Sequence, residues 1–223
     1  SDVERRLSDL LKSNKGLVVV IASGQNIDRA ISVYHAALKS GRELVIDPYQ
    51  AYILMKLKDI CHEAPQFDWP SVRVKFIKSH VRKLKDAGLW GLACQMSRAG
   101  KVTSEQLVSG ASEFVYLARS SRATVALLRF LTKTARPTIV WSLWSGYLKK
   151  DSPVSRFCYE QGIEPVLIHS GGHAHPEDLA GLVNRLRPKA VVPIHTEAAS
   201  QFADIMSNVR VLRDGEAAEI TSL

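Results

Sequence analysis

The sequence is poor in cysteine, and the three cysteines it contains follow no pairing pattern. Cys61, Cys94 and Cys158 are widely separated, odd in number and free of any Cys-x-x-Cys spacing. The pattern argues against a disulfide framework and against a cysteine-based zinc knuckle. We expect buried structural thiols, because free cysteine usually packs as a small hydrophobe.

Long apolar runs are also absent. The longest, from Leu17 to Ala22, is far too short to cross a bilayer, and no N-terminal charged-then-apolar signal with a cleavage site is visible. With 223 residues, of which 46% are hydrophobic, the chain can bury one large core or two modest ones. We therefore expect a globular, cytoplasmic protein with no membrane partner.

Acidic residues are the scarcer charged class. Lys and Arg number 30 against 22 Asp and Glu, which gives a net charge of +8. The basic residues cluster, and such a surface suits a polyanion, although a charged stretch is more often a solvated face. The clusters are Arg73, Lys75, Lys78, His80, Arg82, Lys83 and Lys85, and then Arg119, Arg122, Arg129, Lys133 and Arg136.

Predicted strands and helices alternate along most of the chain. Residues 17–22 form a continuous apolar run typical of a strand buried on both faces, and residues 43–46 predict a second strand. Helices are predicted over 28–40 and from Asp47-Pro48 onward, so the βαβα order predicts an α/β fold with a mostly parallel sheet flanked by helices. Further strands are predicted at 72–76 as an exposed edge, at 114–117 and at 138–141, with a terminal hairpin over 209–220.

The most informative stretch lies near the end of the chain. A strand-like run, Val166-Leu167-Ile168, leads into His169-Ser170-Gly171-Gly172-His173-Ala174-His175. A second predicted strand, Val191-Val192-Pro193, leads into Ile194-His195-Thr196-Glu197, and the residues from Pro176 to Arg187 between them predict a helix. Two buried strands would thus each end in a histidine, and α/β folds build active sites at strand ends.

These two histidine motifs resemble the C-terminal motifs of metallo-β-lactamase-fold nucleases with a β-CASP insertion, the group that includes ribonuclease J. The N-terminal part is similar to the β-CASP domain of a bacterial branch described as RNA-processing exonuclease-like. The segments that carry this second likeness are 20–29, 45–49 and 144–148. The resemblance implies a β-CASP domain over residues 1–150 and the C-terminal segment of a metallo-β-lactamase fold over 151–223. The residues themselves predict a domain seam there, at the polar stretch 149–153.

The resemblance also implies roles for individual residues. His195 would be a ligand in a site that holds two zinc ions when complete, and His173 would contact the scissile phosphate or help to protonate the leaving oxygen. The turn formed by Ser170, Gly171 and Gly172 would bind phosphate, although the family commonly has serine where this chain has Gly171.

The other metal-binding motifs of that family, including His-x-His-x-Asp-His, have no counterpart in this sequence. The chain therefore resembles a zinc-dependent nuclease fragment that lacks the N-terminal half of the lactamase fold. One ligand cannot hold a dinuclear centre, so we expect the isolated chain to be inactive and its exposed apolar edge to favour self-association.

Three functions remain open from the sequence. The first is hydrolysis of phosphodiester bonds in RNA or single-stranded DNA by the complete protein. The second is a non-catalytic nucleic-acid-binding or regulatory module, and the third is a metallo-hydrolase of the same fold acting on a small molecule. Ser23 and Asn26 lie at a strand-to-helix turn that favours an anion or serves as an ordinary helix cap, and Lys78 and Arg82 are candidate contacts to nucleic acid.

Overall fold

The structure is a computed structural model that describes residues 1–134, 136–149, 152–171, 174 and 176–219. It divides into two compact units, Ser1–Ser170 and Gly171–Leu223. The division lies after the seam predicted near residue 150. The reason is that the segment following this seam packs onto the core of the first unit and adds a strand to its sheet.

The first unit is an α/β fold with a seven-stranded, entirely parallel sheet flanked by helices. Its strands are β1 (Val18–Ile21), β2 (Glu43–Ile46), β3 (Val72–Lys75), β4 (Lys101–Val102), β5 (Phe114–Ala118), β6 (Thr138–Trp141) and β7 (Val166–Leu167). Its helices are α1 (Asp2–Ser13), α2 (Ile27–Lys39), α3 (Pro48–Lys56), α4 (Lys78–Asp86), α5 (Trp90–Gly100), α6 (Ser104–Ser109), α7 (Arg122–Leu131), α8 (Gly146–Lys149) and α9 (Pro153–Glu160). The strand order is β4-β3-β2-β5-β1-β6-β7.

Both faces of the sheet are covered, which explains the continuous apolar run of β1. Val18 and Val20 point into a core formed with α1 to α5, whereas Val19 and Ile21 point into a second core formed with α6, α7 and α9. Alternate residues of a strand face opposite sides of a sheet, so a strand covered on both sides is apolar at every position.

The insertion of β5 between β1 and β2 creates a crevice at the carboxyl edge of the sheet. β5 pairs in parallel with both neighbours, and Val115 lies opposite Val18 and Leu44. The helices that follow β1 and β2 pack on one face of the sheet, whereas α7, which follows β5, packs on the other. Chain connections that leave adjacent strands in opposite directions open a crevice, and ligands of α/β folds bind in such places.

Arg42 fastens the opposite edge of the sheet. Its side chain is 4% exposed and donates hydrogen bonds to backbone carbonyl oxygens of three segments. The closest acceptors are the carbonyl oxygens of Leu11 (3.0 Å), Gly16 (2.9 Å), Phe114 (3.2 Å) and Asn14. Burial lowers the pKa of Arg42. One guanidinium thus ties together the end of α1, the turn before β1 and the start of β5.

Several strand predictions require correction. β3 is not an edge strand, because it pairs with β2 on one side and with β4 on the other. β7 does lie at an edge and is not buried, since Val166 and Leu167 are 38% and 45% exposed. The residues of β3 alternate because Val72 and Val74 are buried in one core, whereas Arg73 and Lys75 on the other face are only half-buried. The sequence of an edge strand shows the same alternation.

The second predicted histidine strand does not form. Val191 makes only an isolated parallel bridge with Val209, and Pro193 cannot donate a backbone hydrogen bond to a sheet. His195 therefore does not stand at the end of a strand. The hairpin predicted over 209–220 is also wrong within the described residues, because residues 210–219 form no strand.

The second unit contains α10 (Pro176–Leu186) and a 3₁₀ helix (Ala199–Asp204). α10 begins at Pro176 and ends before Pro188, as predicted. Within the described part of this unit, Met206 is the only buried hydrophobic residue. Its large apolar side chains are instead exposed, at Leu182, Leu186, Ile194, Ile205 and Val211.

The expected burial of the thiols is found for one of the three cysteines, Cys158. Cys158 is buried, Cys61 and Cys94 are half-buried, and all three are free. Burial raises the pKa of the Cys158 thiol to about 11, so this group is a thiol at neutral pH. No helix among the described residues is long and apolar enough to span a bilayer.

Candidate functional site

His195 lines a cleft within the second unit. The cleft has a volume of about 620 Å³, and His195 and Asp204 are its metal-ligand side chains among the lining residues, which also include Leu179, Thr196 and Phe202. His195 has a φ of 57°, in the left-handed region that few non-glycine residues occupy. Such backbone conformations are concentrated at functional sites. The backbone conformation of His195 is therefore consistent with a functional role for this residue.

The described residues do not fit a zinc ion by themselves. Imidazole nitrogen and carboxylate oxygen are suitable zinc ligands, but a protein site supplies three or four such groups. Among the residues that the structure describes, no group of three or more His, Cys, Asp or Glu side chains is arranged to hold a metal. His173, Gly172 and His175 lie outside the described residues, so the proposed contact of His173 stays a prediction.

The segment that leads to the first histidine motif is held at three backbone positions. Arg6 donates a hydrogen bond to the carbonyl oxygen of Leu167 at 2.7 Å, and Ser142 Oγ donates to that of Ile168 at 2.6 Å. Arg29 Nη2 donates to the carbonyl oxygen of Ser170 at 3.3 Å. Because side chains from α1, α2 and the residue after β6 share this task, the start of the His-Ser-Gly-Gly turn has a defined position in the first unit.

Arg29 is the functional candidate that the sequence reasoning missed. It is 5% exposed, and no carboxylate of the described chain lies within ion-pairing distance of it. Burial lowers its pKa. Burying a cation without a carboxylate partner costs free energy. Such a residue is therefore expected to bind an anion or to hold a polar turn in place. Its burial could have been predicted from helical spacing, because Arg29 lies on the same face of α2 as the buried Val33, Ala36 and Ala37.

His169 is half-buried beside this arginine. Burial lowers the pKa of His169, a hydrogen bond with the Ser142 backbone opposes that effect, and the Arg29 charge lowers the pKa further. The neutral imidazole is thus favoured in the folded state.

The turn after β1 supports the cap interpretation of Asn26. The Asn26 side chain accepts a hydrogen bond from the Arg29 backbone at 2.9 Å and caps α2. Ser23 is exposed, and its Oγ accepts from the Gln25 backbone at 3.4 Å. Any role of these two residues in anion binding remains a prediction.

Asp47, at the end of β2, combines a helix cap with a charge cluster. It forms a capping box with Gln50 at the start of α3, as the Asp-Pro pattern predicts. Its carboxylate is 2% exposed, with Oδ1 at 3.5 Å from His80 Nδ1 and Oδ2 at 3.7 Å from Arg119 Nε. Arg119 Nη2 lies 2.9 Å from His80 Nε2. These three groups converge from β2, α4 and the end of β5 at the crevice.

The basic stretch predicted as a nucleic-acid surface forms helix α4. Lys78 and Arg82 are both exposed, as are Lys83 and Lys85, and Leu84 is the only buried residue of this helix. α4 follows β3 at the carboxyl edge of the sheet. The helix thus presents a cluster of lysine and arginine side chains to solvent at the edge where the crevice lies.

Comparison with known proteins gives one family match. Residues 166–209 match the RMMBL family, described as the Zn-dependent metallo-hydrolase RNA specificity domain. The matched part is well under half of the chain, but it spans both histidine motifs and α10. A search of curated proteins found no match. The segment 166–209 is therefore similar to the RNA specificity domain of zinc-dependent metallo-hydrolases, which supports a metallo-hydrolase that acts with RNA specificity.

Proposed function

We propose that this chain is part of a zinc-dependent nuclease that hydrolyses phosphodiester bonds in RNA. The observation that carries the proposal is that the RNA specificity match falls on the stretch containing both histidine motifs. The location of His195 in a cleft of about 620 Å³ supports it further. RNA is favoured over single-stranded DNA and over a small molecule because the matched family is described by its RNA specificity.

The proposal extends to the origin of the two parts of the chain. Residues 1–150 are assigned as a β-CASP domain like that of ribonuclease J, and residues 151–223 as the completing segment of a metallo-β-lactamase fold. The parallel sheet flanked by helices supports the first assignment. The first compact unit extends to Ser170, beyond the proposed boundary at residue 150. The two assignments therefore describe which family segments the residues correspond to, and not which residues pack together.

In this proposal the catalytic centre is shared with a partner half of the lactamase fold. His195 supplies one metal ligand, His173 meets the scissile phosphate, and Ser170, Gly171 and Gly172 contribute phosphate contacts. The support lies in the second unit, where apolar side chains of α10, such as Leu182 and Leu186, are 53% and 68% exposed. Exposed apolar surface of this kind is typical of a protein interface.

A second candidate function is a nucleic-acid-binding module without catalysis. Two observations favour it: the described residues do not assemble a zinc site, and α4 presents exposed basic side chains that include Lys78 and Arg82. Lysine and arginine contacts to phosphate supply most sequence-independent affinity for nucleic acid. This function requires only the surface that the chain itself carries.

The test is RNA cleavage by the longer protein that contains both lactamase halves, with zinc or manganese. His173→Ala and His195→Ala are compared with wild type and with His62→Ala, a matched change at a histidine outside both motifs. We expect both motif variants to lose about 100-fold or more in rate, the effect of removing a group that acts in proton transfer or metal binding. Full activity in both, or an equal loss in His62→Ala, refutes the assignment.

A second arm uses the 223-residue chain alone. We expect it to bind single-stranded RNA but not to cleave it with zinc. Cleavage that zinc supports and EDTA abolishes would contradict the shared centre. Binding without any activity in the longer protein would instead favour the non-catalytic module.

A further inference from the structure

We propose that the crevice at the carboxyl edge of the first unit binds one nucleotide of single-stranded RNA, with RNA as the polymer resting on the proposed function above. The crevice has a volume of about 320 Å³, at the lower end of small-molecule sites. It is lined by Tyr49, Tyr52, His80, Lys83, Leu84 and Arg119, together with Ala87 and Leu89. The lining thus combines two cations, Arg119 and Lys83, with the rings of Tyr49 and Tyr52, groups that can contact the phosphate and the base of a nucleotide.

The charge of the crevice is positive although an acid lies beneath it. Asp47 is not a lining residue, and its two carboxylate oxygens face His80 Nδ1 at 3.5 Å and Arg119 Nε at 3.7 Å. Among the described residues that line the crevice none is acidic, while Arg119 and Lys83 are cationic. A ligand thus meets the cations and not the carboxylate, which selects an anion such as a phosphate.

The orientation of Arg119 is fixed by its surroundings. Its guanidinium lies 4.4 Å from the centre of the Tyr49 ring, within range of a cation–π contact, and 2.9 Å from His80 Nε2. With Arg119 as donor to Nε2, the His80 proton resides on Nδ1 and faces Asp47. A Cβ on Gly24 would lie 2.6 Å from Arg119 Cδ. Any larger residue at position 24 would therefore clash with the Arg119 side chain.

A purely structural role would leave part of this arrangement unexplained. The Asp47, His80 and Arg119 contacts could serve only to balance a buried charge. Lys83 takes no part in them, is exposed and still lines the same crevice. The half-buried Tyr52 presents a ring to the same crevice, and base stacking on aromatic side chains is the sequence-tolerant contact of single-strand binding. The crevice thus offers side chains for both the phosphate and the base of a nucleotide.

The test titrates the 223-residue chain with uridine 5′-monophosphate, with inorganic phosphate and with a labelled decauridylate. Lys83→Met is compared with Lys58→Met, which removes an equal charge from an exposed lysine outside the crevice. We expect Lys83→Met to weaken mononucleotide and decauridylate binding about tenfold, the effect of one charge-assisted hydrogen bond, and Lys58→Met to change it less than about twofold. Equal weakening by both, or no mononucleotide binding at millimolar concentration, overturns the proposal.

Tyr52→Leu separates the base contact from the phosphate contact, since leucine keeps an apolar side chain but removes the ring. We expect it to weaken binding of the mononucleotide severalfold and to leave binding of inorganic phosphate unchanged, whereas an equal effect on both ligands overturns the assignment of Tyr52 to the base. None of these measurements requires zinc or cleavage. If the nuclease assignment is wrong, the longer protein does not cleave RNA, but nucleotide binding by the chain still depends on Lys83. If the crevice proposal is wrong, the longer protein cleaves RNA, but nucleotide binding does not depend on Lys83.

Discussion

Replacing Arg42 provides the sharpest test of what holds the first unit together. Arg42→Met keeps an unbranched apolar stem but removes the guanidinium and its hydrogen bonds to Leu11, Asn14, Gly16 and Phe114. A hydrogen bond from a charged donor contributes about 1.5–3 kcal/mol to the free energy of unfolding. Burial lowers the pKa of this arginine, so its charge is itself penalised and the lower end of that range, or less, applies.

At about 1 kcal/mol for each of these bonds, Arg42→Met should lower the free energy of unfolding by roughly 4 kcal/mol. That is a large fraction of the stability of a typical domain and corresponds to roughly 10 °C in melting temperature for a chain of this size. Arg42→Lys retains the charge but reaches fewer carbonyl oxygens, and we expect it to lower the free energy of unfolding by about half as much. The measurement is urea unfolding followed by circular dichroism.

Arg5→Met is the matched control. Arg5 is exposed and its partners Asp2 and Asp9 are surface carboxylates on the same helix, so its removal should change the free energy of unfolding by less than about 1 kcal/mol. If Arg42→Met is no less stable than Arg5→Met at an unchanged m-value, the hydrogen bonds of Arg42 do not stabilise the fold and the reasoning is refuted.

Three further predictions concern charge. Asp47→Asn retains a helix-capping side chain but removes the pairing with His80 and Arg119, so in urea unfolding it should be more stable than Asp47→Ala by about 1 kcal/mol; equal stability would exclude the cap. Burial lowers the pKa of His169, so the stability it contributes is complete above about pH 6.5 and declines as the pH falls toward its folded pKa; His169→Gln should lose less stability from about pH 7 to about pH 5.5 than wild type, and parallel curves would refute this. Replacing Lys78, Arg82 and Lys85 with Glu should weaken RNA binding and flatten the slope of its salt dependence by about 0.7 for each phosphate that the variant no longer neutralises, and unchanged affinity would discard that role.

Much of the first unit could be predicted from local pattern. The apolar run around β1, the strand 43–46 and the Asp47-Pro48 helix start all appear in the structure, because each is specified by neighbouring residues. The α/β class followed from their order. In the second unit the helix between Pro176 and Pro188 was predictable for the same reason.

The remaining features depend on contacts between distant segments. β4 has only two residues and no recognisable sequence pattern, so the sequence did not reveal that β3 has a second neighbouring strand. Val191 has strand propensity, but it gains only a bridge to Val209, and Pro193 prevents extension. The crevice combines Asp47, His80 and Arg119 from three parts of the chain, and no local spacing relates them.

The position of β5 has a consequence for how the chain folds. β1 and β2 do not touch each other in the sheet, because β5 lies between them and supplies hydrogen bonds to both. During synthesis the first two strands therefore remain without their shared neighbour until residue 118 has emerged. Sheets built from such distant pairings close slowly, and their unpaired strands are exposed to aggregation while they wait. We expect the refolding rate of the first unit to be limited by docking of β5.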